Sequence, residues 1–267
     1  MKVGIIGFGN LGQFLKNELD KDSNYEVVKI WNRTPDEGNG ILHLNEITNE
    51  NLKGIDLMIE VAHPDITKMY GKVILEETNL FIGSPTALSD QETYDLVEKL
   101  GTKYNRSIYV PTGALWAAED IMKMAELGQL KGLTISMIKH PSSFKVLGDL
   151  KKLCNEALET STMKTLYSGP VRDLCKLAPN NVNTMAGAAI AAKNLGFDNV
   201  KAKLIADPDM LEWHIVELDV IGEDGFNVRI RRENPAKPGA VTGNATYFSF
   251  LASIHRCKYK PSGIHIC

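Results

Sequence analysis

Cysteine is scarce in this chain. Cys154, Cys175, Cys257 and Cys267 stand apart, with no C-x-x-C pair among them. That spacing argues against a disulfide framework or a structural zinc site, and no metal ligands are expected. Reduced thiols in a cytoplasmic protein are the simplest reading. Long apolar runs are missing as well, and none approaches the ~18 residues that a membrane span needs. Nor is there a basic excess. Thirty Lys and Arg against 33 Asp and Glu leave a net charge of −3, so neither nucleic acid nor a membrane surface is expected as a partner. The chain opens directly on an apolar strand, Lys2–Ile6, so no secretory leader is expected. Repeats and low-complexity tracts are absent.

What is there alternates. Lys2–Ile6, 25–31, 55–61, 79–84 and 107–113 read as strands. Between them lie helical patterns, one carrying Leu11, Leu15 and Leu19 at i, i+4, i+8 and another opened by an S-x-x-E capping box at Ser89–Glu92. Strand–helix alternation of this length predicts a Rossmann-type, doubly wound parallel α/β domain over residues 1–112. The pattern then changes. A strand at 133–139 and a small-residue helix over 181–197 precede strands at 200–206, 212–221 and 226–232. The last two strands flank a "GEDG" turn. This second part, 113–234, reads as an α+β domain. The closing segment, 235–267, reads as a Pro/Gly loop and a helix from Ala240 to His255 that returns to the first domain.

The most local signal is Gly7-x-Gly9-x-x-Gly12, which follows a buried strand and opens a helix. In that context it reads as a dinucleotide-binding loop. The first Gly makes the turn, the second lets the backbone approach a pyrophosphate, and the third lets helix and strand pack closely. Asn10 and Leu11 belong to the same loop. About 20 residues on, an NAD-binding fold usually carries an acid for the ribose 2′-OH. Here the chain reads Trp31-Asn32-Arg33-Thr34. Asn32, Arg33 and Thr34 can donate to a 2′-phosphate instead, so NADP(H) is expected over NAD(H). Ala62 and Ser84, at the ends of the third and fourth strands, complete the cofactor contacts expected in this half.

A hydride transfer at an amino or hydroxyl carbon also needs a proton acceptor. Six histidines are available. His43, His255 and His265 lie in loops or near the end of the chain, and His63 precedes a proline where a turn-capping role fits. His140 and His214 remain. His214 alternates in register with Val216, Leu218 and Val220, on the face a strand would bury. Asn181 and Asn183 could orient a carboxamide or a carboxylate, with an N-cap as the other reading of Asn181. Lys139, Arg172, Arg231 and Arg232 are the cations considered for substrate carboxylates.

Together these segments resemble the aspartate dehydrogenase family, animal-type members in particular. The motifs are "GFGNLGQ", "KIWNRTP", "EVAHP", "GSPTALSD", "GALWAAEDI", "YSGPVRDLC", "NVNTMA", "IADP", "WHIVEL", "RRENPAKPGAVTG" and "GIHIC", and they span essentially the whole chain. The resemblance implies NAD(P)-dependent oxidation of L-aspartate to iminoaspartate, which hydrolyses to oxaloacetate and ammonia. It implies His214 as the active-site residue, Ala114 and Asn183 as cofactor contacts, an inserted α+β domain and a homodimer. Microbial members carry Arg-Lys-Pro where this chain has Lys139-His140-Pro141. Lys139 and His140, with Asn181, are therefore the substrate candidates. Two alternatives stand beside this reading. One is an NADP-dependent dehydrogenase or imine reductase acting on another amino or oxo acid. The other is a non-catalytic NADP(H)-binding regulator.

Overall fold

The apolar runs become the central strands of two sheets. A computed structural model describes residues 1–146, 148–258 and 260–267. Its strands are β1 (Lys2–Ile6), β2 (Glu26–Asn32), β3 (Ile41–His43), β4 (Leu57–Glu60), β5 (Asn79–Ile82), β6 (Ser107–Val110), β7 (Leu130–Lys139), β8 (Lys164–Pro170), β9 (Lys201–Ala206), β10 (Trp213–Gly222), β11 (Asn227–Pro235) and β12 (Gly263–Ile266). The chain divides into two units, Met1–Pro111 with Phe250–Cys267, and Thr112–Ser249. Residues 235–249 thus belong to the second unit, not to the closing segment expected from the sequence.

The first unit is the parallel α/β domain. Its sheet runs β12-β6-β5-β4-β1-β2-β3, and the strand pairs are parallel. Apolar residues at alternate positions build one face: Val3 and Ile5, Leu57 and Ile59, Phe81, Tyr109. Against it pack Leu15 and Leu19 of the helix Asn10–Leu19, and Phe250 and Ile254 of the helix Asn244–His255. Each such leucine contributes about 1.5–3 kcal/mol by its burial. Alternation sends Met58 and Glu60 to the opposite face. Loops carrying Gly7, Ala62 and Ser84 follow the carboxyl ends of β1, β4 and β5, the edge where parallel α/β sheets bind ligands.

The second unit holds a mixed sheet, β11-β10-β7-β9-β8, in which only β7 and β9 are parallel. The "GEDG" turn closes β10 onto β11, with the Gly222 N–H donating to the Phe226 carbonyl at 2.8 Å. No helix of the described residues is long and apolar enough to cross a membrane.

Several local readings are corrected. Ser89 does not cap a helix, because it sits in the 3-10 turn Pro85–Ser89 and its hydroxyl donates to Thr86 O at 2.7 Å. The small-residue helix is shorter, Asn183–Ala191, and Gly196 at φ +64 starts a separate turn. The closing helix begins at Asn244 rather than Ala240. β3, β8 and β12 were not expected. β12 adds a parallel strand beside β6, pairing Ile264 with Ile108.

Candidate functional site

In the first unit the glycines are dictated by space. Gly7 has φ +103, and a Cβ there would stand 2.8 Å from Ala62 Cβ. A Cβ on Gly12 would come within 2.0 Å of the Gly7 carbonyl oxygen. A Cβ on Gly9 would meet nothing within 4 Å. So the outer glycines are forced by packing, while Gly9 lies beside open space. Gly9 is also the N-cap of the helix Asn10–Leu19 and offers no capping side chain, which leaves N–H groups of the first turn for an anion. These residues fit a dinucleotide pyrophosphate. At the end of β2, Asn32 Nδ2 donates to Thr34 O at 3.2 Å, and Arg33 is exposed with no ion pair among the described residues. The next carboxylate, Asp36, accepts from Asn39 Nδ2 at 2.7 Å.

One residue of this region escaped the sequence reading. Glu60, the last residue of β4, is fully buried. Its Oε1 accepts from the N–H groups of Ala62 (2.7 Å) and His63 (2.9 Å), and its Oε2 from the Ser84 N–H (2.9 Å). The Ser84 hydroxyl adds a fourth bond at 3.1 Å. Burial pushes the carboxyl up to about 7, against those four hydrogen bonds. The His63 ring turns away and caps its helix, taking the Asp65 N–H at 3.3 Å.

The second unit contributes side chains. His214 pairs in register with Lys139 of β7 on one side and Asn234 of β11 on the other. Directly opposed residues of antiparallel strands share a face, so three polar residues form a row. All three are buried, at 3%, 5% and 4% exposure for Lys139, His214 and Asn234. The His214 Nε2 has no hydrogen-bond partner among the described residues. Burial, with the Lys139 ammonium adding to it and the Ala240 carbonyl opposing, lowers the imidazole to about 4. Lys139 Nζ donates to the Val241 carbonyl at 2.9 Å. It lacks a carboxylate partner among the described residues, and burial lowers it to about 8. The ring is therefore neutral at neutral pH, and a buried cation stands beside it.

The other cations sort themselves by partner. Arg172 makes a bidentate pair with Asp198, at 2.6 and 2.9 Å. Arg231 is tied to Glu217 and Glu233. Arg232 lies two residues before Asn234, on the same face, and is paired in register with Val216. Its guanidinium donates to Gly113 O at 3.2 Å, stacks 5.9 Å from the Trp116 ring, and faces no carboxylate among the described residues. A neutral histidine, an amide and two cations with no carboxylate partner among the described residues thus share one sheet face.

A family model described as "Aspartate dehydrogenase, C-terminal" matches residues 120–253. A Xenopus tropicalis aspartate dehydrogenase domain-containing protein is 43% identical, covering 100% of this chain and 98% of the relative. This chain belongs to the aspartate dehydrogenase family. A Danio rerio member with the same description is 41% identical over the full chain, and an L-aspartate dehydrogenase of Methanococcoides burtonii is 28% identical over 97% of it. The crystal structure of Thermotoga maritima aspartate dehydrogenase superposes with a TM-score of 0.72 at 22% identity, covering 97% of each chain. The α/β Rossmann-type fold is thus the fold of this family.

The remaining candidates of this aspartate dehydrogenase family member fall as follows. Ala114 lies in the turn closed by the Leu115 N–H to Thr112 O bond, 2.8 Å. Asn183 opens its helix half-buried. Asn181 is buried and clasps a loop, its amide both accepting from Lys145 N (3.1 Å) and donating to Lys145 O (2.8 Å). Val182, not Asn181, is the N-cap there. His140 caps a turn, with Ser142 Oγ 2.7 Å from its Nδ1. Neither residue joins the row of Lys139, His214 and Asn234. Sequence reasoning missed Asn234, whose only signal is strand alternation with Arg232 across a stretch read as loop.

Proposed function

We propose that this protein is an L-aspartate dehydrogenase with His214 as its general acid–base. The buried face carrying neutral His214 beside Lys139 and Arg232 is the observation that carries the reading. A bound nicotinamide dinucleotide supplies the acceptor for the Cα hydride. The N–H groups about Gly9, at the start of the helix Asn10–Leu19, hold its pyrophosphate, while Asn32, Arg33 and Thr34 favour NADP(H) over NAD(H). Asn10, Leu11, Ala62 and Ser84 are the other contacts proposed around that loop, and Ala114 and Asn183 those proposed from the second unit.

Aspartate brings two carboxylates and an ammonium. Lys139 and Arg232, which have no carboxylate partner among the described residues, bind the carboxylates. His214, depressed below the usual imidazole range, is free to take the proton that the ammonium loses, or one from the water that attacks the imine. Asn234 steadies the base, because its Nδ2 donates to the His214 carbonyl at 3.1 Å. His140 and Asn181, engaged with Ser142 and Lys145, enter only through the positions of their loops.

The test is oxidation of NADPH, and separately of NADH, with oxaloacetate plus ammonium and with a panel of other oxo acids. Turnover on oxaloacetate that prefers NADPH supports the reading. Turnover on another oxo acid alone would replace the substrate. Nucleotide binding with no turnover on any acid would leave a regulator. The same reading carries a homodimer in the cytoplasm. A monomeric mass by light scattering, or fractionation to an organelle, would contradict that part.

A further inference from the structure

Glu60 has no part in the proposed chemistry, yet it joins two loops at one edge of the parallel sheet. Its carboxylate holds the N–H groups of Ala62, His63 and Ser84 and the Ser84 hydroxyl. Its backbone carbonyl accepts from Gly83 N at 2.8 Å. The segment it holds is in turn packed on the glycine loop. A Cβ on Gly7 would stand 2.9 Å from both Ala62 Cα and the Val61 carbonyl carbon. We propose that the ionised carboxylate of Glu60 is a positioning residue for dinucleotide binding, setting the Ala62–His63 and Ser84 segments against the Gly7–Gly12 loop. This rests on the reading of that loop as the dinucleotide site.

The chemistry of the cradle makes the charge matter. Three of the four groups around the carboxylate are N–H donors, which cannot accept a proton's hydrogen bond. A protonated carboxyl, or a Gln amide, therefore breaks at least one bond and loosens one segment. The carboxyl titrates near neutrality, at about 7, so the loosening falls within an accessible range. Among the described residues no charged group adds to or opposes its burial. Residues 4–9 of β1 and its loop and residues 81–85 of β5 and its loop hold no charged side chain. Phe250 is what the helix Asn244–His255 brings to Gly83. The titratable side chain nearest in sequence, His63, has its Nδ1 engaged by the Asp65 N–H at 3.3 Å.

Wild type and Glu60→Gln are titrated with NADH, which lacks a titrating 2′-phosphate, from pH 6 to 8.5, with apo melting temperatures alongside. At pH 8 the variant is expected to bind at least about tenfold more weakly, the scale of a lost charged hydrogen bond. Wild-type affinity falls towards the variant's as pH drops through about 7, while the variant's profile is expected to be flatter. The apo melting temperature moves oppositely. A carboxyl raised in the folded state takes up its proton there before the unfolded chain does, so wild type gains stability on acidification and the variant does not. Equal NADH affinity at pH 8, or parallel pH dependences, would overturn the role, and wild type failing to bind any nicotinamide nucleotide would overturn both the role and the dinucleotide reading. If Glu60→Gln does not fold, the His63→Asn protein decides. Falling affinity with a rising melting temperature supports the role, and flat affinity refutes it.

Discussion

The two units prepare for chemistry by opposite means. The first works through backbone, with three glycines, a helix start without a capping side chain, and loops tied by Glu60. The second works through buried side chains, a row of Lys139, His214 and Asn234 with Arg232 on the same face. Backbone N–H groups carry only partial charges and need no deprotonation of their own, so pH dependence enters the first arrangement through Glu60. A buried imidazole beside a buried ammonium suits the movement of a proton, at a cost in stability. The contrast teaches where each kind of substitution should be felt.

The largest effect separates stability from binding. His214 is lowered to about 4 when folded, against 6.5 ordinarily. The unfolded chain therefore takes up its proton first, and stability is full above about pH 6.5 and falls as pH drops towards 4. That loss amounts to as much as about 3 kcal/mol. In His214→Leu the acid limb of a melting-temperature profile should flatten by this amount, and an unchanged profile would contradict the burial argument.

Lys139→Met comes next. Loss of a charged hydrogen bond to a substrate carboxylate should raise the KM for oxaloacetate by about 10–100-fold. Removing the neighbouring ammonium should also shift the acid limb of the rate profile upward in pH, since Lys139 helps depress His214. Steady-state kinetics across pH reads both, and a KM within twofold of wild type would remove Lys139 from the substrate's anchors. Gly12→Ala, by contrast, strikes backbone. Its Cβ meets the Gly7 carbonyl at 2.0 Å, so about 1–3 kcal/mol of stability should be lost in chemical denaturation, as in overpacked interiors. The smallest effect is the most selective. Arg33→Ala should weaken NADPH by about tenfold and leave NADH nearly unchanged, one phosphate contact being lost. Equal losses for both nucleotides would refute the 2′-phosphate assignment.

Legibility in the sequence follows the same contrast. The glycine loop could be read because its requirements are local, with a turn, a close approach and a helix start within six residues. His214 could be read as buried because alternation runs along a single strand. Its partners could not, since the pairing of His214 with Lys139 and Asn234 is set by strand register, which brings together residues 75 and 20 positions away. Glu60 looked like the end of an apolar strand, and only the fold brings the Ser84 N–H to it. β3 and β12 are three and four residues long, too short for a period to show. The clasp of Asn181 on Lys145 could not be read, since the two lie 36 residues apart.

The central claim is that the second unit's histidine moves the proton while the first unit's glycine loop holds the dinucleotide. His214→Ala tests it most directly, with single-turnover rates on oxaloacetate and ammonium measured beside the NADPH dissociation constant. The account predicts a rate lower by about 10²–10⁴-fold, the usual cost of losing a general acid–base, with nucleotide affinity within a few-fold of wild type. A rate near that of wild type would contradict the assignment of His214.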